Sequence, residues 1–240
     1  MNERRPVLEA RDVHFAYRQR QSLLRSREYP AIRGVSFTIF EGETVGVIGR
    51  NGCGKSTLLR LVAGIYQPDA GEVRSHCPRV SLLSLSLGFD PQLTGRENAV
   101  LSGMLSGSTR SQVESELDEI IRFAELGRFI DEPIKTYSTG MRSRLGFAVA
   151  LKLRTDLMLL DEVLSVGDQA FREKAEKAMV DRINSKQTVL LVSHSLPQTQ
   201  ALCDRVIWLD KGCVVEVGEP DEVIARYQDS FNETSDSAQR

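Results

Sequence analysis

Apolar positions fall into two textures. Strand-like runs occupy both ends of the chain, and helical periodicity fills the middle. Val7–Tyr17 shows partial alternation. Val35-Ser36-Phe37-Thr38-Ile39, within Ala31–Phe40, alternates strictly and reads as its partner strand, turning at Glu41-Gly42-Glu43. Arg18–Tyr29, polar and arginine-rich, reads as an exposed loop between them. Thr44–Ile48 is continuously apolar, as a buried strand requires, and Leu58–Ala63 reads as a helix ending near Gly64. Gln67-Pro68-Asp69-Ala70-Gly71 has turn chemistry, and short strands follow at Glu72–Arg74 and Val80–Leu83.

From Leu85 to about Arg154 the pattern is helical. Thr94-Gly95-Arg96-Glu97 and Ser111-Gln112-Val113-Glu114 both have capping-box spacing. Val113, Leu117, Ile120, Ile121 and Ala124 then share one face, and a third helix, Met141–Leu153, buries Leu145, Ala148, Val149 and Leu153. Strands return at Leu157–Leu160 and Thr188–Val192 with a helix, Phe171–Ile183, between them, which predicts parallel pairing. Val206–Leu209 and Cys213–Val217 predict a closing hairpin, followed by a short helix at Asp221–Tyr227. The expected architecture is α/β: a mostly parallel sheet core with an antiparallel part and an inserted helical subdomain at about 86–153. One domain spans 1–230, and 231–240 has the composition of a disordered polar tail.

Composition narrows the classes. At 240 residues and net charge −2, the chain has no basic field that would point to nucleic acid or an acidic membrane. Its four cysteines make no C-x-x-C pair, as in a reduced cytosolic protein. No signal peptide is visible, and no apolar run approaches the roughly 20 residues that span a bilayer.

Chemistry concentrates at Gly49-Arg50-Asn51-Gly52-Cys53-Gly54-Lys55-Ser56-Thr57, which fits G-x-x-x-x-G-K-[ST] between a strand and a helix. Glycines let backbone N–H groups wrap phosphate oxygens, Lys55 reaches the β- and γ-phosphates, and Ser56 can ligate Mg²⁺. Asp161 and Glu162 end a buried parallel strand, the edge at which such sheets bind ligands. Asp161 would hold Mg²⁺ opposite Ser56, through water or directly, and Glu162 is the candidate general base. His194 ends the next strand, within reach of a γ-phosphate there; Ser138-Thr139-Gly140 precedes a helix and suits an anionic oxygen.

Together these residues resemble an ATP-binding cassette (ABC) ATPase, from about Val7 to Tyr227. Gly49–Thr57 resembles its Walker A, Leu157–Glu162 its Walker B, Ser138–Gly140 its signature, Ser165–Asp168 its D-loop and His194 its switch histidine. The resemblance implies a P-loop NTPase fold, ATP and Mg²⁺ as cofactors, and Asp168 and the signature meeting nucleotide across a homodimer. It also implies an aromatic against adenine: Tyr17, or Tyr29. Leu87–Asn98, Tyr137–Leu145 and Asp161–Asp168 are similar to a narrower subgroup, the ATPases of exporters of O-antigen, capsule or teichoic acid. That implies docking on membrane-spanning permease subunits at the cytoplasmic face of the bacterial inner membrane, with lipid-linked polysaccharide met only indirectly and no nucleic acid.

Two departures from the family pattern stand out. Tyr137, Thr139 and Met141 replace the common Leu, Gly and Gln of the signature, so Ser138 and Gly140 are expected to make the phosphate contacts. Leu85 falls at or near the Q-loop glutamine. Little chain follows Tyr227, so no glycan-reading domain is expected. A lipid or drug exporter is the alternative within transport. A soluble ABC protein of translation or repair is disfavoured by a single phosphate loop without sustained heptads.

Overall fold

The computed structural model describes residues 5–20, 26–83, 88–161 and 167–237. They divide into two compact units. The first comprises Met1–Leu82, Leu157–Glu162 and Lys186–Arg240, and the second Leu83–Asp156 and Val163–Ser185.

In the first unit, β1 (Pro6–Arg20) pairs antiparallel with β2 (Ser26–Phe40) and with β4 (Ala70–Ser75). A six-stranded sheet runs in the order β5-β6-β7-β3-β8-β9, with β5 (Val80–Leu82), β6 (Leu157–Asp161), β7 (Thr188–Val192), β3 (Thr44–Ile48) and β8 (Arg205–Asp210) parallel. β9 (Cys213–Gly218) closes it antiparallel, as a hairpin with β8. Strand β3 is buried along its whole length because both neighbours and both faces cover it. Helix α1 (Lys55–Val62) packs Leu58, Leu59 and Leu61 into the same core, each contributing about 1.5–3 kcal/mol. Where β2 meets β3, Glu43 is 4% exposed and accepts hydrogen bonds from Phe40 N (3.0 Å) and Arg205 Nη2 (3.1 Å), tying the two sheets together.

The second unit contains α2 (Gly95–Leu105), α3 (Arg110–Ala124), α4 (Thr139–Lys152) and α5 (Gln169–Asn184), with 3-10 turns at Gly127–Asp131 and Ile134–Thr136. Thr94 caps α2 in a full capping box, a contribution of about 1 kcal/mol. Val113, Ile120, Ala124, Leu145, Ala148 and Val149 form its core, with Phe89 packed partly buried against it. Asn98 is fully buried; its side chain bonds Asp90 N (2.7 Å) and Asp90 O (3.0 Å) and so shapes the turn before α2.

Four boundaries differ from those expected. Arg18–Tyr29 is not a loop: β1 and β2 continue as a hairpin with Tyr17 opposite Tyr29 and Arg18 opposite Glu28, residues 21–25 lying outside the described set. The pairing is held by Arg18 bonding Glu28 and Asp69, each at 3.0 Å. Helix α3 starts two residues early because Thr109 and Gln112 satisfy both bonds of the box, leaving Glu114 to pair with Arg110. Helix α5 belongs to the second unit, where Phe171 meets Phe123 and Phe147 edge-on. Helix α7 (Pro220–Ser237) runs well past Tyr227 into the expected tail. Its first turns seat Val223, Ile224 and Tyr227, and no proline or glycine follows to stop it. The short helix α6 (Leu196–Leu202) lies between β7 and β8.

Candidate functional site

Strand β3 delivers Gly49 to the C-terminal edge of the parallel sheet. The glycines there answer to the scaffold behind the loop. A Cβ on Gly49 would sit 2.1 Å from Leu209 O, and one on Gly54 would sit 2.6 Å from Ala31 O. Gly54 also has φ +113, and Gly52 has φ +77 with open space around it. From the β8–β9 turn, Gly212 N donates to Cys53 O (2.9 Å) and fixes the back of the loop. Gly54 caps α1 with no side-chain hydrogen bond, so its first amides have no side-chain acceptor and face a ligand-sized space.

That space is a cavity of about 460 Å³ whose walls include Asn51, Gly52, Gly54–Thr57, Asp161 and His194. Lys55 is 6% exposed, and its Nζ donates to Gly49 O (2.8 Å) and Arg50 O (3.1 Å), so the loop curls around its own cation. Ser56 Oγ donates to Asp161 Oδ1 (3.3 Å), which ends β6 in register with Val192 of β7. His194 follows β7, exposed at the same edge. These oxygens are hard donors beside an anion cradle, the few-ligand set that suits Mg²⁺ shared with substrate phosphates.

Tyr17 and Tyr29 both line the cavity. The Tyr17 hydroxyl lies 3.0 Å from Thr57 Oγ1, and its ring meets Phe15 and Tyr66 edge-on at 5.1 and 5.9 Å. Tyr29 carries the Arg27 guanidinium over its ring at 5.0 Å. Sequence spacing gave no sign of Phe15 and Tyr66, which hold Tyr17 in place.

Cys53 faces elsewhere. It is 5% exposed and lines a second cavity of about 420 Å³ with Trp208 and Tyr227, behind the loop. Burial pushes its thiol pKa up, with Lys55 opposing. Gly49, Arg50 and Cys53 do not line the first cavity, while Asn51 and Gly52 line both.

Within the second unit, Ser138 caps α4 and accepts from Met141 N (3.2 Å). Thr139 and Gly140 lie in the first helical turn, so Thr139 needs no positive φ. An added Cβ at Gly140 would meet only Ser138 Oγ, at 3.8 Å. Tyr137, in place of the common leucine, is 3% exposed and donates to Phe129 O. Burial, chiefly, pushes its pKa up to about 12. Asp168 caps α5, Oδ1 accepting from Phe171 N (3.0 Å), and its Oδ2 accepts from Arg144. Arg144 was not foreseen, since it pairs with a residue 24 positions away. Glu162, Leu85, Ser165 and Val166 lie outside the described residues.

Known proteins share this pattern. The family model described as ABC transporter matches residues 32–165. The O-antigen export system ATP-binding protein RfbB of Klebsiella pneumoniae is 43% identical over 92% of this chain and 90% of its own length. RfbB of Myxococcus xanthus is 46% identical over 84% of this chain but only 46% of its own length. The teichoic acids export ATP-binding protein TagH of Lactococcus lactis is 44% identical over 84% of this chain and 43% of its own. The chain thus spans less than half of the latter two. A dimeric ATP-binding cassette solved in a post-hydrolysis state with ADP and Pi shares the fold, at TM-score 0.71 and 22% identity over 89% of this chain and 98% of that one.

Proposed function

This chain belongs to the ABC transporter family, and we propose that it is the ATP-hydrolysing subunit of a bacterial exporter of a cell-surface polysaccharide. The observation that carries the ATPase reading is the convergence of Lys55, Ser56 and Asp161 on one cavity. The substrate class, O-antigen, capsule or teichoic acid, is supported by relatives named for O-antigen and teichoic acid export. Export of a lipid or drug, or a non-transport role, is the alternative.

Gly49–Thr57 holds the triphosphate: Lys55 leaves its carbonyl partners for the β- and γ-phosphates, and the α1 amides take the remaining oxygens. Ser56 and Asp161 would hold Mg²⁺, which neutralises phosphate charge when bound. Tyr17 offers a face to the adenine, with Tyr29 beside it. Glu162 takes a proton from the attacking water as the bond to the leaving ADP oxygen breaks, and His194 steadies the γ-phosphate. Ser138, Thr139 and Gly140 serve a partner subunit's nucleotide, with the Asp168 turn at the same dimer face, so the working unit is a homodimer on permease subunits at the cytoplasmic face of the inner membrane. Among the described residues no helix is long and apolar enough to cross a membrane, so on this reading the polysaccharide passes through the permease.

The test is a bacterial host deleted for the gene. Wild type, and not Lys55→Ala, should restore one surface glycan whose lipid-linked form accumulates inside. Unchanged surface glycan in the deletion strain overturns the substrate class.

A further inference from the structure

Asp168 lies where a D-loop aspartate would meet nucleotide, yet both of its carboxylate oxygens have partners within its own unit. One caps α5, and the other receives the Arg144 guanidinium. The Arg144 side chain is 20% exposed, against 63% for Asp168, so the pair is anchored from the arginine side. Its guanidinium lies 5.0 Å from the centroid of Phe171, itself fully buried. The backbone of Gly167 passes so close that a Cβ there would come within 3.2 Å of Arg144 Nε, at φ +71. Arg144 sits on α4, which Leu145, Ala148 and Val149 anchor in the core of the second unit. An exposed ion pair alone is worth little. A planar cation held by a ring, a glycine backbone and a carboxylate is ordered, and lysine could not reproduce it.

We propose that Arg144 is a positioning residue that locks the Gly167–Asp168 turn to helix α4, so that these two elements meet a partner subunit as one block. Asp168 then acts through Arg144 and the α5 cap, without itself binding nucleotide. This rests on the reading that α4 and the Asp168 turn complete a partner's site.

The test is a double-mutant cycle in the full chain. Asp168→Asn keeps a capping oxygen for Phe171 N but loses the charge pair. Arg144→Ala and Asp168→Asn should each lower kcat roughly tenfold to a hundredfold, the scale of a lost charge-assisted bond, with nucleotide Kd unchanged. The double variant should be no slower than the worse single one, and Arg144→Lys should recover only part. Should Arg144→Ala melt below the assay temperature, Arg144→Gln, which keeps a stem against Phe171, replaces it in the cycle. Additive losses in kcat overturn the lock. So does a weaker nucleotide Kd in Asp168→Asn without one in Arg144→Ala, which would make Asp168 a nucleotide ligand. A wild-type chain that hydrolyses no ATP would instead indict the ATPase reading, so the two failures are distinguishable.

Discussion

Helices α1 and α4 both begin at a candidate anion site, but they are built differently. Helix α1 opens on Gly54 with no side-chain cap, a buried lysine and a carboxylate-bound serine in its first turn. Helix α4 opens on Ser138, whose hydroxyl already accepts from Met141 N, and no lysine follows it in the first turn. The first end can hold a triphosphate by itself. The second offers its remaining amides, a hydroxyl that also donates, and Arg142, whose guanidinium is turned back onto Tyr137 O (3.2 Å), a set suited on the proposed reading to finishing a site begun elsewhere. On the proposed function the contrast separates binding from turnover: damage at α1 should abolish binding, whereas damage at α4 should spare binding and slow turnover.

The largest effect should come from Glu162→Gln. Hydrolysis should fall at least about a thousandfold, within the range general-base loss gives, while ATP still binds and holds a dimer visible by gel filtration. Turnover near wild type would remove Glu162 from the mechanism. Ser138→Ala comes next. Loss of the cap costs about 1 kcal/mol, so melting should drop a few degrees and kcat roughly tenfold, with ATP affinity unchanged. A weakened ATP affinity in this variant would break the contrast. The smallest effect concerns Cys53. Its thiol is buried and its pKa raised by burial, so thiolate chemistry below about pH 9 should be slow and should speed up as pH climbs. Because it faces the second cavity, Mg-ATP should change its labelling rate by no more than about twofold beyond the effect of stabilisation. Strong protection confined to Cys53 would mean that the thiol is reached through the nucleotide cavity.

Much of the α1 end was legible because its geometry is local: three glycines, a lysine and a serine within nine residues directly after a strand leave one backbone path. The α2 cap at Thr94 was legible for the same reason. What was hidden depends on distant partners. The side of the loop on which Cys53 falls shows only in its distant neighbours, Gly212 N donating to Cys53 O (2.9 Å) and Trp208 lining the same cavity. The β1–β2 extension rests on Arg18 reaching Glu28 and Asp69, which no local pattern reveals. At α3, two overlapping boxes had equal spacing, and only the bonds themselves select Thr109.

The most direct measurement mixes two inactive subunits, Lys55→Ala and Gly140→Asp. The second fits the fold, because Gly140 has no positive φ and only Ser138 Oγ within 4 Å of an added Cβ. If α1 of one subunit and α4 of another share each nucleotide, a mixed dimer holds one doubly damaged site and one intact site. Mixing should then restore a measurable fraction of wild-type hydrolysis. Complete silence in proven mixed dimers would contradict independent sites completed across the interface.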